Sequence, residues 1–235
     1  MKKLIPLLIA FVAGVAITMA VWHFWSRDFQ PVPHGEPTAA PTGDGWIDLL
    51  AEQDAWENIT DEKDIFEFDG DMLHIFGHTI VPLRYVGYTA RDFEDFELHL
   101  EYKVAAGANS GVFLRIDPEN PLSRGWEVQV LDDFGLPPSK NRSGGIYDVT
   151  TPMYNMSRPA GSWNSYDITV RGQDVTVVMN GWKVVETDLS KMTMPIGKFE
   201  TPFAELPLKG MIAFQDHGGE VWYRNVKVRP LDHEG

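Results

Sequence analysis

Trp126-Glu-Val-Gln-Val-Leu-Asp132 decides how the rest of the chain is read. Its residues alternate. Trp126, Val128 and Val130 fall on one side of an extended strand, Glu127, Gln129 and Leu131 on the other. A strand of a sandwich buries its apolar side against a second sheet. Glu127 and Gln129 are then left about 7 Å apart on the opposite face. Asp132 joins them only if a bulge or the strand's end turns it to that side. Alone, such a pair is an ordinary solvent-facing surface. Its neighbours in the chain argue otherwise: Asn109-Ser-Gly-Val-Phe-Leu-Arg115 before it, then Gly145-Ile-Tyr-Asp148, Gly161-Ser-Trp-Asn164 and Gln215-Asp-His-Gly218.

Working outward, short strands and turns recur from Trp46 on, with almost no helical period. Phe96-Glu-Leu-His-Leu-Glu-Tyr-Lys-Val104 alternates without a fault, with Glu97, His99, Glu101 and Lys103 on the outer side. Asp69-Gly70 and Asn180-Gly181 are hairpin turns between apolar runs. The segments around 112–116 and 126–131 are expected to continue a meander from Phe96–Val104. The first strand, at Trp46–Leu50, is expected to pair with the last, at Val221–Val228. Residues 132–162 are rich in Gly, Pro, Ser and Asn and too long for a plain connector, so a structured loop with a role is expected. The sum is an all-β fold, a sandwich or jelly roll.

The front end differs. Lys2 and Lys3 precede an apolar run from Leu4 to Trp25, long enough to span about 33 Å as a helix. Trp22, Phe24 and Trp25 close it like an interfacial aromatic belt, where a cleavable signal would show small residues. Residues 1–27 are read as an uncleaved single-pass anchor, with a cleaved signal and a secreted domain as the alternative. Residues 28–45, with Pro31, Pro33, Pro37 and Pro41, are read as a linker, and 46–235 as the folded domain. The lysines put the N-terminus inside and the domain outside the cytoplasmic membrane, on its periplasmic or extracellular side.

The chain has 235 residues and no cysteine, which excludes disulfides, thiolate metal sites and a cysteine nucleophile. From Phe29 on it carries 17 Lys and Arg against 33 Asp and Glu, a net charge of −16. Such a surface repels nucleic acid and anionic lipid and suits neutral substrates.

If the strands concerned are neighbours, one sheet face gathers Arg115, Glu127, Gln129, Gln215 and His217. Planar polar groups of this kind, with exposed Trp and Tyr, suit sugar hydroxyls and ring faces. Arg115 with Glu127 could equally be a cross-strand ion pair, and His217 before Gly218-Gly219 could simply open a turn.

Seven blocks occur in the order of a known family: Asn109–Arg115, Trp126–Asp132, Gly145–Asp148, Trp163-Asn164, Asn180-Gly181, Gln215–Gly218 and Trp222–Val226. In these the chain, from about Trp46 to Leu231, resembles the 3-keto-disaccharide hydrolase domain. That resemblance implies a concanavalin A-like jelly roll and cleavage of a glycosidic bond next to a ketone at C3 of the sugar. The C3 ketone acidifies the C2 hydrogen. A base forms the enolate, the C1 oxygen leaves by elimination, and water adds back. Under this reading Glu127 or His217 is the base, Arg115 stabilises the oxyanion, and Asp132 or Gln129 orients hydroxyls. Asn109, Tyr147, Trp163 and Gln215 are the further candidates for binding sugar. No cofactor is expected; the alternative is a divalent metal on His217, Glu127 and Asp132 polarising the ketone. The substrate implies a sugar 3-oxidoreductase upstream. Residues 50–90 fit the family poorly.

Two rivals remain at this stage. An ordinary glucanase on this fold carries Glu-x-Asp-x-x-Glu on one strand. The spacing matches Glu127 to Asp132, but Gln129 stands where the central carboxylate should be. A non-catalytic carbohydrate-binding module would need the aromatics and hydroxyl binders, but not a matched Arg, Glu and His.

Overall fold

The computed structural model describes residues 34–61, 63–78, 82–118, 124–197 and 199–231. The expected anchor helix and the start of the linker lie outside the described residues. Among the described residues no helix is long and apolar enough to cross a membrane.

Thirteen strands follow in order: β1 (Ile47–Asp48), β2 (Trp56–Asn58), β3 (Phe66–Asp69), β4 (Met72–Ile75), β5 (Arg84–Tyr88), β6 (Phe96–Val104) and β7 (Asn109–Ile116). Then come β8 (Trp126–Leu131), β9 (Trp163–Arg171), β10 (Asp174–Met179), β11 (Trp182–Asp188), β12 (Met211–Asp216) and β13 (Val221–Pro230). They form two antiparallel sheets. An eight-stranded sheet runs β11-β10-β9-β6-β13-β4-β3, with β1 on β13, and a five-stranded sheet runs β2-β5-β12-β7-β8. The first and last strands pair as expected, Ile47 opposite Val228. The meander expected from β6 into β8 does not form. β6 belongs to the larger sheet, and the chain crosses to the smaller one at residues 105–108, so that only β7 and β8 are hairpin partners.

The core lies between the sheets. β6 contributes Phe96, Leu98, Leu100, Tyr102 and Val104; β8 contributes Trp126, Val128 and Val130. Each large apolar side chain buried here is worth about 2 kcal/mol. A one-residue slip of β8 would turn three of them outward, so register is firmly held. Both sequence-read turns form. Gly70 has φ +64°, and Asn180 and Gly181 have φ +49° and +80°, the left-handed pair that a two-residue hairpin turn needs.

Part of the stretch read as linker packs on the sandwich. Residues from His34 on belong with the domain. Gly35 lies so close to Asn180 that a Cβ there would meet its carbonyl oxygen at 2.1 Å. Thr38 N donates to Ser165 Oγ at 2.8 Å, and Thr38 Oγ1 donates to Asp167 Oδ2 at 2.6 Å. This strap lies over the outer face of the larger sheet. His99, read from alternation as a surface residue, is buried there with its Nδ1 2.6 Å from Asp167 Oδ1.

Candidate functional site

The outer face of the smaller sheet is built by β2, β5, β12, β7 and β8, with Glu57 of β2 at its far edge opposite Gly87. Because Val86, Phe214, Val112, Val128 and their alternates fill the core, the residues between them point away from it. Pairing sets these in rows. In one, Gly87 stands opposite Ala213, Ala213 opposite Phe113, and Phe113 opposite Glu127. In the next, Tyr85 stands opposite Gln215 and Gly111 opposite Gln129. The first row is mostly apolar. Tyr85, Phe113, Met211 and Ala213 form a second small core with Ile59 and Leu83 packed on it. The polar groups collect at the β7–β8 side.

Gly111 explains how. A Cβ built on it would come within 2.1 Å of Glu127 Oε1. The Glu127 side chain leans across β7, and its carboxylate rests over the one position of that strand that has no side chain. Gln129 Nε2 donates to Asn109 Oδ1 at 3.0 Å, which fixes the neighbouring amide. The edge of β8 is closed by the 132–162 loop, which has the structure expected of it. Gln129 N donates to Gly145 O, Gly144 N to Gln129 O and Tyr147 N to Glu127 O. Inside, Tyr166 Oη donates to Gln129 O at 2.6 Å. The strand that carries Glu127 and Gln129 is therefore held from the edge and from the core.

Of the sequence-read residues, Glu127, Gln129, Asn109 and Gln215 come together, and Tyr147 flanks them through its backbone. His217 follows the end of β12, where Gly218 O accepts from Asn109 N at 2.9 Å, so it stands at the Asn109 end of the site. The buried Asp216 before it has its carboxyl pushed up from the ordinary range by burial, opposed by backbone groups of His78 and Gly218.

Three of the sequence-read residues stand elsewhere than expected. Arg115 does not share the face of Phe113. It has φ +53°, and the β7–β12 register shifts beside it. This bulge breaks the alternation and swings the side chain off the face. The guanidinium donates to Glu94 O and Gly172 O, and pairs with Asp95 at 3.2 Å. Burial lowers its pKa, opposed by Asp95 and Glu94. Asp132 is occupied at a turn, where its Oδ2 accepts from Gly107 N at 2.8 Å. Trp163 belongs to the other sheet, under Arg224, whose Cζ is 4.0 Å from the ring centre, and Lys103. Among the described residues no three His, Asp or Glu side chains converge as a metal site.

One residue of this face escaped the sequence reading. Tyr85 lies opposite Gln215, 1% exposed, and its hydroxyl makes no hydrogen bond of good geometry. The signal was there: in Arg84-Tyr-Val-Gly-Tyr88, alternation puts Tyr85 and Gly87 on one side.

Residues 45–229 match the family described as the 3-keto-α-glucoside-1,2-lyase-like domain. The chain is similar to the 3-keto-disaccharide hydrolase of Bacteroides thetaiotaomicron, 29% identical over 177 residues, which cover 61% of either chain. It thus spans less than two thirds of that relative's length. A protein of Parabacteroides distasonis provisionally described as a glycosyl hydrolase superposes with a TM-score of 0.69 at 29% identity, over 79% of this chain and 99% of that one. A second Parabacteroides distasonis structure shares the fold at 22% identity, with a TM-score of 0.70, over 83% of this chain and all of the other. With the family match extending over nearly the whole sandwich, the chain belongs to the 3-keto-α-glucoside-1,2-lyase-like domain family.

Proposed function

We propose that this sandwich, a jelly roll of the concanavalin A-like type, is a glycoside-cleaving enzyme that acts on 3-keto-glycosides. The observation that carries the reading is the single carboxylate of Glu127, seated over Gly111 among the neutral side chains of Gln129, Gln215 and Asn109. The other carboxylate in its outward row, Glu57 of β2, stands four strands away, about 19 Å at the ordinary strand spacing, too far to face it. Hydrolysis of an unoxidised glycoside uses two facing acids. Elimination from a 3-ketone needs one base, because the ketone supplies the acidity. The name of the Bacteroides thetaiotaomicron relative, a 3-keto-disaccharide hydrolase, supports the same substrate class.

In this reading Glu127 removes the C2 proton, and the amides of Gln129 and Gln215 hold sugar hydroxyls. The C1–O bond then breaks with loss of the aglycone, and water adds to the unsaturated sugar. A sugar 3-oxidoreductase acting earlier supplies the ketone. The test is isotopic. Product formed in heavy water is expected to carry deuterium at C2 at early times, beyond a control of free product alone. Rapid cleavage of the unoxidised glycoside, or C2 left unlabelled, overturns the mechanism in favour of direct displacement at C1.

The apolar run Leu4–Trp25 supports a membrane-anchored form with the domain outside the cytoplasmic membrane. Full-length protein is expected to fractionate with membranes. Recovery of a mature chain that begins after residue 25 would replace the anchor with a cleaved signal.

A further inference from the structure

With Arg115 turned away, the proposed elimination lacks the group that meets the ketone oxygen. As the C2–H bond breaks, its electron pair forms C2=C3, and the C3=O π pair moves onto the C3 oxygen. Some donor must face that oxygen, since an enolate buried without one is costly.

Tyr85 has the required chemistry and place. It stands directly opposite Gln215 on the face that carries Glu127. Its backbone is fixed by the 59–60 segment: Tyr85 N donates to Thr60 Oγ1 at 2.8 Å, and Tyr85 O accepts from Ile59 N at 3.0 Å. Its ring is clamped edge-on against Phe113, with centroids 4.9 Å apart. Yet its hydroxyl, buried, makes no hydrogen bond of good geometry. Buried hydroxyls are nearly always paired, and one left unpaired costs free energy that a bound ligand can return. Burial pushes the phenol's pKa up, opposed by Gln215 and reinforced by the charge of Glu127, so Tyr85 stays a donor wherever Glu127 is a base. A neutral donor also suits a site whose polar groups other than Glu127 are amides.

We propose that the Tyr85 hydroxyl donates the hydrogen bond that holds the C3 oxygen of the substrate and its enolate. This rests on the 3-keto-glycoside reading above. No proton need leave Tyr85. The enolate oxygen pair re-forms C3=O, the C2=C3 pair shifts to C1=C2, and the C1–O bond breaks. The departing alkoxide takes the proton that Glu127 removed.

The experiment compares wild type with Tyr85→Phe on one 3-keto-glycoside. It also follows solvent exchange at C2 of the free 3-keto sugar, which reports enolate formation without bond cleavage. Tyr85→Phe is expected to lower kcat about 10²-fold or more, to lower C2 exchange in parallel, and to melt near the wild-type temperature, because the hydroxyl it removes makes no hydrogen bond of good geometry. If wild type cleaves no 3-keto-glycoside, the functional reading falls and this proposal with it. If wild type is active, three results overturn Tyr85 alone: a variant within about threefold of wild type, C2 exchange preserved while cleavage is lost, or a clear fall in melting temperature, which would reveal a structural partner.

Discussion

Glu127→Gln is expected to abolish turnover while leaving the fold intact. The two side chains have the same shape, so the space above Gly111 stays filled, and the core side of β8 is untouched. What is lost is the ability to take a proton. General-base removal costs typically about 10²–10⁴-fold, and the upper end applies where no second carboxylate can substitute. Solvent exchange at C2 of a 3-keto sugar should vanish with cleavage, while near-ultraviolet circular dichroism and the melting temperature stay near wild type. Glu127 is 5% exposed, so a purely structural role for this buried carboxylate would instead lower the melting temperature and leave turnover per folded enzyme alone. A variant that retains activity within a few-fold would move the base to His217.

Arg115→Ala should show the opposite pattern, a large loss of stability and little change in the chemistry of the molecules that remain folded. The guanidinium serves the carbonyls of Glu94 and Gly172 and the carboxylate of Asp95, all joined across the ends of the two sheets. Its removal takes the guanidinium donors from those acceptors and a cation from beside Asp95. Truncating one partner of a buried, hydrogen-bonded pair costs on the order of 3 kcal/mol or more. The check is the midpoint of urea unfolding, read beside kcat per folded enzyme. A kcat collapse with an unchanged midpoint would return Arg115 to the reaction.

The contrast between these two residues shows where the sequence was legible. Glu127 and Gln129 were placed correctly because Trp126, Val128 and Val130 are large and must go inward, which leaves only one face for the rest. Arg115 obeyed the same alternation on paper. A single residue with φ +53° cancelled it, and nothing in Asn109–Arg115 announces a bulge at a non-glycine position. Trp163 stands on the other sheet for another reason. A strand's own pattern says which side is inward but not which of two sheets it joins, and β9 joined the one opposite the site. The hairpins at Asp69-Gly70 and Asn180-Gly181 were legible since turn chemistry is local. Gly111 could be read as a small residue on a strand, yet its purpose depends on a side chain sixteen positions later crossing over it. Tyr85 sat in a stretch with little family likeness, and its interest lies in a missing hydrogen bond, which no sequence displays.

The strap from His34 to Pro41 was read as linker because it lies in a stretch punctuated by proline and glycine, and composition cannot reveal that Thr38 meets Ser165 and Asp167 far along the chain. In effect this peptide is a ligand fused to its own receptor. The short connection to β1 keeps its effective concentration in about the millimolar range, so a few hydrogen bonds suffice to seat it where they would be too weak between separate molecules. The family match begins at residue 45, but the folded unit begins at His34. A protein cut at the family boundary would keep every strand and still lack its cover, presenting His99, Asp167 and Ser165 as an open receptor for the strap supplied as a separate peptide.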